Sequence, residues 1–129
     1  MSSETPADEG GVEIDDVVRF ERAGEGDGAS LVAHVRGEID TLTAPLLRTE
    51  LDARLPEAPL VVLDLSGVTF LGSAGLAVLV AAKDAVERRG HTLRLVCGSR
   101  IVTRALEATG LLALFDVADG VSDALRPTG

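Results

Sequence analysis

The run Val61-Val62-Leu63-Asp64-Leu65-Ser66-Gly67-Val68-Thr69-Phe70-Leu71-Gly72-Ser73-Ala74-Gly75-Leu76 constrains this chain more than any other, because an apolar segment passes through a glycine-flanked serine into a helix-forming stretch. Pro59 to Leu65 is almost unbroken in its apolar character, which predicts a strand covered on both faces. Ala74 to Arg89 predicts a long helix. Ser73 stands between the two, at the expected helix N-cap.

A serine at an N-cap accepts hydrogen bonds from the unpaired N–H groups of the first turn, and its oxygen lies at the positive end of the helix dipole. A phosphate on that oxygen would meet free amides and a favourable dipole, so the domain is expected to tolerate it. A partner would feel the change.

The rest of the chain alternates strands and helices. Val17 to Glu21 predicts a first strand, Gly24 to Ser30 a turn, and Leu31 to Val35 a second strand, together a hairpin. Thr43 to Leu55 places Leu46, Leu47, Leu51 and Leu55 at helical spacing, with Thr43 as cap, Pro45 in the first turn and Pro56 after the end. Gly90 stops the second helix before the alternating strand Thr92 to Val96. Ser99 caps a third helix whose stripe is Val102, Ala105, Leu106 and Thr109, and Gly110 stands where a left-handed C-terminal residue is wanted. Leu114 to Val117 predicts a short strand, and Ser122 to Arg126 a last helical turn. The expected fold is a single α/β domain: a mixed sheet with an N-terminal antiparallel hairpin, parallel crossovers and about four helices.

Composition removes several function classes. With 129 residues and 46% hydrophobic content, the chain builds one core. No apolar segment reaches the roughly 18 residues of a membrane span, and there is neither a basic leader nor an apolar secretion segment, so a cytoplasmic protein is expected. One cysteine, Cys97, and two histidines, His34 and His91, supply no disulfide and no metal ligand set. All three read as structural or solvated residues. The net charge is −9, and residues 1 to 16 contribute six carboxylates with no base, so residues 1 to 15 are expected to form an acidic, flexible tail before a domain at 16 to 126. Nucleic acid is disfavoured as a partner, because an acidic surface repels phosphate and three phenylalanines without Trp or Tyr build no stacking platform.

Asp64-Leu65-Ser66-Gly67-Val68-Thr69-Phe70-Leu71-Gly72-Ser73-Ala74-Gly75-Leu76 resembles the signature of the STAS family, the bacterial anti-sigma factor antagonists. Gly37-Glu38-Ile39-Asp40-Thr41-Leu42-Thr43-Ala44-Pro45 resembles the family's Gly-Glu-Leu-Asp segment, which leads from an early strand into the first helix. The resemblance spans about residues 16 to 126. It implies that Ser73 is the residue phosphorylated by a cognate anti-sigma factor kinase with a GHKL-type ATPase fold. The unphosphorylated protein would bind that kinase and release a sigma factor for transcription, as in a stress response, and a PP2C-type phosphatase would restore binding after phosphorylation. The protein would be substrate and binding module, with no catalytic residue, cofactor or metal of its own. Its contact set would be Asp40, Thr43, Gly72, Ala74, Gly75 and Leu76 around Ser73.

Competing readings attach to the same residues. Ser73 could only cap a helix while Gly72 and Gly75 only permit a tight turn, leaving an interaction module of stressosome or transporter type that is never phosphorylated. A serine hydrolase is the other alternative, since strand, turn, serine and helix are shared with the nucleophile elbow. Leu71 stands where that motif wants glycine, however, and a sixteen-residue helix spans about 24 Å, which carries His91 away from Ser73. Asp40 would orient the acceptor turn or contact the kinase, or only cap the helix, while Glu38 reads as a solvated strand-end charge. The second helix is apolar around its circumference from Leu76 to Ala82, so part of it is either a partner surface or sandwiched in the core. Gly72 replaces the aspartate common before the acceptor and Ala74 a following Ser or Thr. Ser73 is therefore the only hydroxyl in the turn, with Thr69 and Ser66 as lesser alternative acceptors.

Overall fold

The computed structural model describes residues 17–126, so the acidic segment at 1–15 lies outside the described residues. Five strands, β1 (Val18–Ala23), β2 (Ser30–Ile39), β3 (Leu60–Leu71), β4 (Thr92–Val96) and β5 (Asp116–Ala118), form one sheet in the order of the chain. The pair β1–β2 is an antiparallel hairpin, and every later neighbour is parallel. Parallel neighbours need crossovers, supplied by helices α1 (Ala44–Arg54), α2 (Ser73–Arg88) and α3 (Arg100–Ala108). A short α4 (Val121–Ala124) follows β5.

Alternation along the strands divides the two faces of the sheet. Leu31, Ala33 and Val35 of β2, Val61, Leu63 and Leu65 of β3, and Leu93 and Leu95 of β4 join one core with Leu47 and Leu51 of α1, Leu79 and Val86 of α2, and Val102 and Leu106 of α3. On the opposite face Val32, Val62 and Val96 meet Ala124 of α4 in a much smaller cluster. The wide crossover layer thus covers one face. The guanidinium of Arg94, buried on the second face, donates to the carbonyls of Ala124 and Arg126 at 2.7 and 2.8 Å and pairs with Asp116 at 3.0 Å, fixing the C-terminal turn to β4 and β5. On the core side of the hairpin, the Arg54 guanidinium lies 4.5 Å from the centre of the Phe20 ring.

Helix ends follow the expected chemistry with local corrections. Ser99 Oγ accepts from the Val102 N–H at 3.5 Å, as expected of a cap. Gly90 and Gly110 take φ +77° and +74° after α2 and α3. Each donates to the carbonyl three residues back, Glu87 and Glu107, and the next residue reaches the carbonyl before that one (His91 N–H to Val86 O, 3.2 Å; Leu111 N–H to Leu106 O, 2.9 Å), a Schellman closure that a Cβ would strain. The strands differ more. β2 and β3 run on to Ile39 and Leu71, well past the expected ends at Val35 and Leu65, and β5 begins at Asp116 because Leu112–Leu114 form a tight 3₁₀ turn instead of strand.

Candidate functional site

The longer strands bring the two motifs together. Ile39 and Leu71 are register partners at the carboxyl ends of β2 and β3, and the Gly72 N–H donates to the Ile39 carbonyl at 3.0 Å. The loops that begin at Asp40 and Gly72 therefore leave side by side. In parallel sheets this end of the strands is where ligands and partners are met.

The first loop is tied internally. Asp40 Oδ1 accepts from the N–H groups of Leu42 at 2.9 Å and Thr43 at 3.1 Å, while Thr43 Oγ1 accepts from the Asp40 N–H at 2.9 Å. The Thr43 hydroxyl also lies 2.8 Å from the Glu38 carbonyl, to which it donates. The reciprocal Asp40 and Thr43 bonds have the form of a capping box, and the Ala44 N–H already bonds to the Asp40 carbonyl at 2.8 Å. Asp40 is thus the residue that caps α1. Thr43, expected as the cap, occupies the formal N-cap position but has helical backbone angles and no capping bond of its own. The Thr43 N–H, followed by that of Leu42, holds the Asp40 carboxyl below its ordinary value despite some desolvation.

The second loop is bare. Gly72, not Ser73, is the N-cap of α2, and Ser73 is the first residue of the helix. This corrects the expected position by one residue: the serine hydroxyl caps nothing, and a glycine cap offers no side chain to the first-turn amides. Ser73 is exposed, and its hydroxyl makes no hydrogen bond among the described residues. Neither flanking glycine is there for backbone freedom, since Gly72 is extended (φ −90°, ψ −178°) and Gly75 is helical. Gly75 is required by close approach, because a Cβ would come within 2.6 Å of Leu71 Cδ1 and 2.7 Å of Ile39 Cγ2. At Gly72 a Cβ would meet the Phe70 ring at 3.1 Å.

Of the expected contact residues, Gly75 and Leu76 face the core, Ala74 and Gly72 are partly exposed, and Asp40 and Thr43 are engaged in the cap. Two exposed apolar side chains that the motifs did not mark flank the site: Leu42 in the first loop, 81% exposed, and Phe70 near the end of β3, 50% exposed. Their signal is weak: Leu42 is a single apolar residue between threonines, and Phe70 stands where the apolar run of β3 breaks up. Between α1 and α2, next to Ser73, a groove of about 630 Å³ is lined by Thr41, Ala44, Pro45, Arg48, Thr49 and Asp52 on one side and Ala74, Ala77 and Val78 on the other. Helix α2 is neither wholly buried nor wholly free: Leu76, Val78, Leu79 and Ala82 are buried, while Ala77 and Val80 are exposed.

The arrangement offers little for nucleophilic catalysis at Ser73, whose hydroxyl has no base bonded to it among the described residues. A histidine, a carboxylate and a serine do meet elsewhere, but there Asp64 lies between His34 and Ser66, so the ring does not touch the hydroxyl. Among the described residues no helix is long and apolar enough to cross a membrane.

Comparison with known proteins gives one consistent picture. The chain is 33% identical over 104 residues to the anti-sigma-F factor antagonist RsfA of Mycobacterium tuberculosis, covering 78% of this chain and 80% of that one. It is 31% identical over 85 residues to the anti-sigma-B factor antagonist of Bacillus subtilis, covering 66% and 78%. The crystal structure of an anti-sigma factor antagonist from Mycobacterium paratuberculosis superposes with TM-score 0.67 at 33% identity over 85% of this chain and 92% of that one. The Bacillus cell fate determinant SpoIIAA in its phosphorylated form shares the fold at TM-score 0.60 and 15% identity, over 83% and 96%. The STAS domain model matches residues 22–124, and with the sheet, the two loops and these relatives in agreement, the chain belongs to the STAS domain family.

Proposed function

We propose that this STAS protein is an anti-sigma factor antagonist switched by phosphorylation of Ser73. The observation that carries the reading is the pairing of an exposed, unbonded serine hydroxyl with uncapped helix amides, beside a loop whose Asp40 and Thr43 side chains are already bonded within it. In the unphosphorylated state the surface of Ser73, Gly72, Ala74 and the Asp40 to Thr43 loop binds an anti-sigma factor of the GHKL-type kinase class, and a sigma factor is released for transcription. The relatives named as antagonists of anti-sigma-F and anti-sigma-B support this role. The protein acts as substrate and ligand, and a PP2C-type phosphatase resets it.

The energetics favour an interface effect over a change of fold. A phosphate brings about 1.5 to 2 negative charges, and an unpaired charge forced into a contact surface costs roughly 2 to 5 kcal/mol, or 30-fold to several thousand-fold in affinity. The same anion at the amino end of α2 gains about 0.3 to 1 kcal/mol from the dipole and free amides. Survival of this fold in phosphorylated SpoIIAA is in keeping with that sign.

The test is peptide-mapping mass spectrometry of the protein from its native host in growth and stress, followed by calorimetry against the GHKL-type anti-sigma factors of that host. Stress-dependent phosphate on Ser73 and binding that phosphorylation abolishes are expected. Full coverage of Ser73 with no phosphate in any condition would overturn the switch and leave a constitutive interaction module.

A further inference from the structure

The sheet face opposite the crossover layer carries a chain of polar contacts that the Ser73 site does not use. His34, on β2, places Nδ1 2.8 Å from Asp64 Oδ2 on β3 and Nε2 2.8 Å from Glu21 Oε1 on β1. The other Asp64 oxygen accepts from the Ser66 hydroxyl at 2.7 Å and the Ser66 N–H at 3.1 Å. One ring thus ties three strands together.

An ionised carboxylate only accepts hydrogen bonds, so a ring with a carboxylate on each nitrogen is satisfied only as the imidazolium, which carries a hydrogen on both. A neutral ring turns a lone pair toward one carboxylate. We propose that Glu21, His34 and Asp64 form a proton-operated latch that holds the edge strand β1 to the sheet, closed when His34 carries two ring protons and loosened when it carries one.

The arm that opens is set by burial. The Asp64 side chain is 13% exposed and is fixed by Ser66, whereas that of Glu21 is 57% exposed and can exchange the ring for water. Burial opposes the Asp64 charge, but the Ser66 hydroxyl and the His34 ring together hold the carboxyl below its ordinary value, so it stays an acceptor. A neutral His34 therefore keeps its hydrogen toward Asp64 and releases Glu21, the contact on β1.

Other charges face the ring from each neighbouring element. Arg19 of β1 is the register partner of His34, and with Arg36 of β2 it lines the same cavity of about 230 Å³ as His34, Asp64 and Ser66. These two cations share the cavity with the ring, and the two carboxylates are bonded to it. On the same face α4 packs over Val32, Val62 and Val96, and there Asp123 pairs with Arg126 at 3.2 Å.

Amide hydrogen exchange on the full chain, with rates normalised for chemical exchange at each pH, tests the latch at pH about 5.5 and about 8. At the higher pH, protection of β1 should fall roughly two- to five-fold relative to β4, the scale of a partly exposed ion pair. Glu21→Gln should abolish that difference, because the amide donates to a bare nitrogen or accepts from a protonated one. His34→Gln should do the same, and if it fails to fold, the exposed Glu21→Gln decides alone. Equal β1 protection at both pH values, a change shared by β4, or a change retained in Glu21→Gln would each overturn the proposal.

Discussion

The loop after β2 and the turn after β3 leave adjacent strands at the same end of the sheet, yet the first ties its polar groups to itself while the second leaves a hydroxyl and several amides open. In the Asp40 to Thr43 loop a carboxylate and a hydroxyl exchange bonds with each other's backbone. In the Gly72 to Gly75 turn the cap has no side chain. The difference separates two requirements on one surface. A contact site needs a rigid frame, and a modifiable site needs a group whose change breaks no internal bond.

The largest effect that would sharpen this contrast is on binding. Ser73→Ala should bind the anti-sigma factor constitutively, whereas Ser73→Glu should bind at least about 30-fold more weakly with an unchanged Tm, as calorimetry and thermal melts would show. Equal binding by the two would remove the functional half of the comparison. Next is Gly75→Ala, where the added methyl meets Leu71 and Ile39. It should cost about 1 to 3 kcal/mol in urea unfolding, because two packed side chains must move.

Breaking the tied loop should have a smaller effect. Thr43→Val removes the acceptor for the Asp40 N–H and the donor to the Glu38 carbonyl, a loss of about 1 kcal/mol measurable in the same titration. Asp40→Asn tests the charge. The folded carboxyl titrates below the ordinary 3.8, so its contribution is complete above that value and disappears as pH falls through the lower folded one. The Tm of wild type should therefore drop more steeply with acid than that of Asp40→Asn. Smallest of all, Gly72→Asp gives the bare turn a cap like that of its neighbour and should stabilise it by only a few tenths of a kcal/mol, since the Phe70 ring must shift to admit the side chain.

Much of this was legible in the sequence because local chemistry decided it. The strand Thr92–Val96 has the expected ends, and Ser99, Gly90 and Gly110 mark helix boundaries through bonds that their own neighbours make. The second half of β3 was missed for a physical reason. Val61 to Asp64 pairs with β4 as well as β2, but beyond Asp64 the strand pairs only with β2, so Ser66, Gly67, Thr69 and Phe70 are exposed and the apolar run breaks up. A half-covered strand with a glycine reads as a loop. The His34, Asp64 and Glu21 contacts lie 13 and 30 residues apart and arise from strand register, for which His34 and Asp64, each a lone polar residue in an apolar run, are the sole hint. Ser73 was found by its flanking glycines, although their role is space for packing and not backbone freedom.

The identity of spatial and chain order in the sheet has a consequence for biosynthesis. Each strand from β2 to β5 pairs with the one made just before it, and none has to wait for a later strand to be inserted between existing neighbours. On the ribosome the hairpin can form first, and each following helix and strand can then dock on an edge already present. The nascent chain can thus assemble from its amino end by accretion, with one edge growing while the outer edge of β1 stays the same throughout.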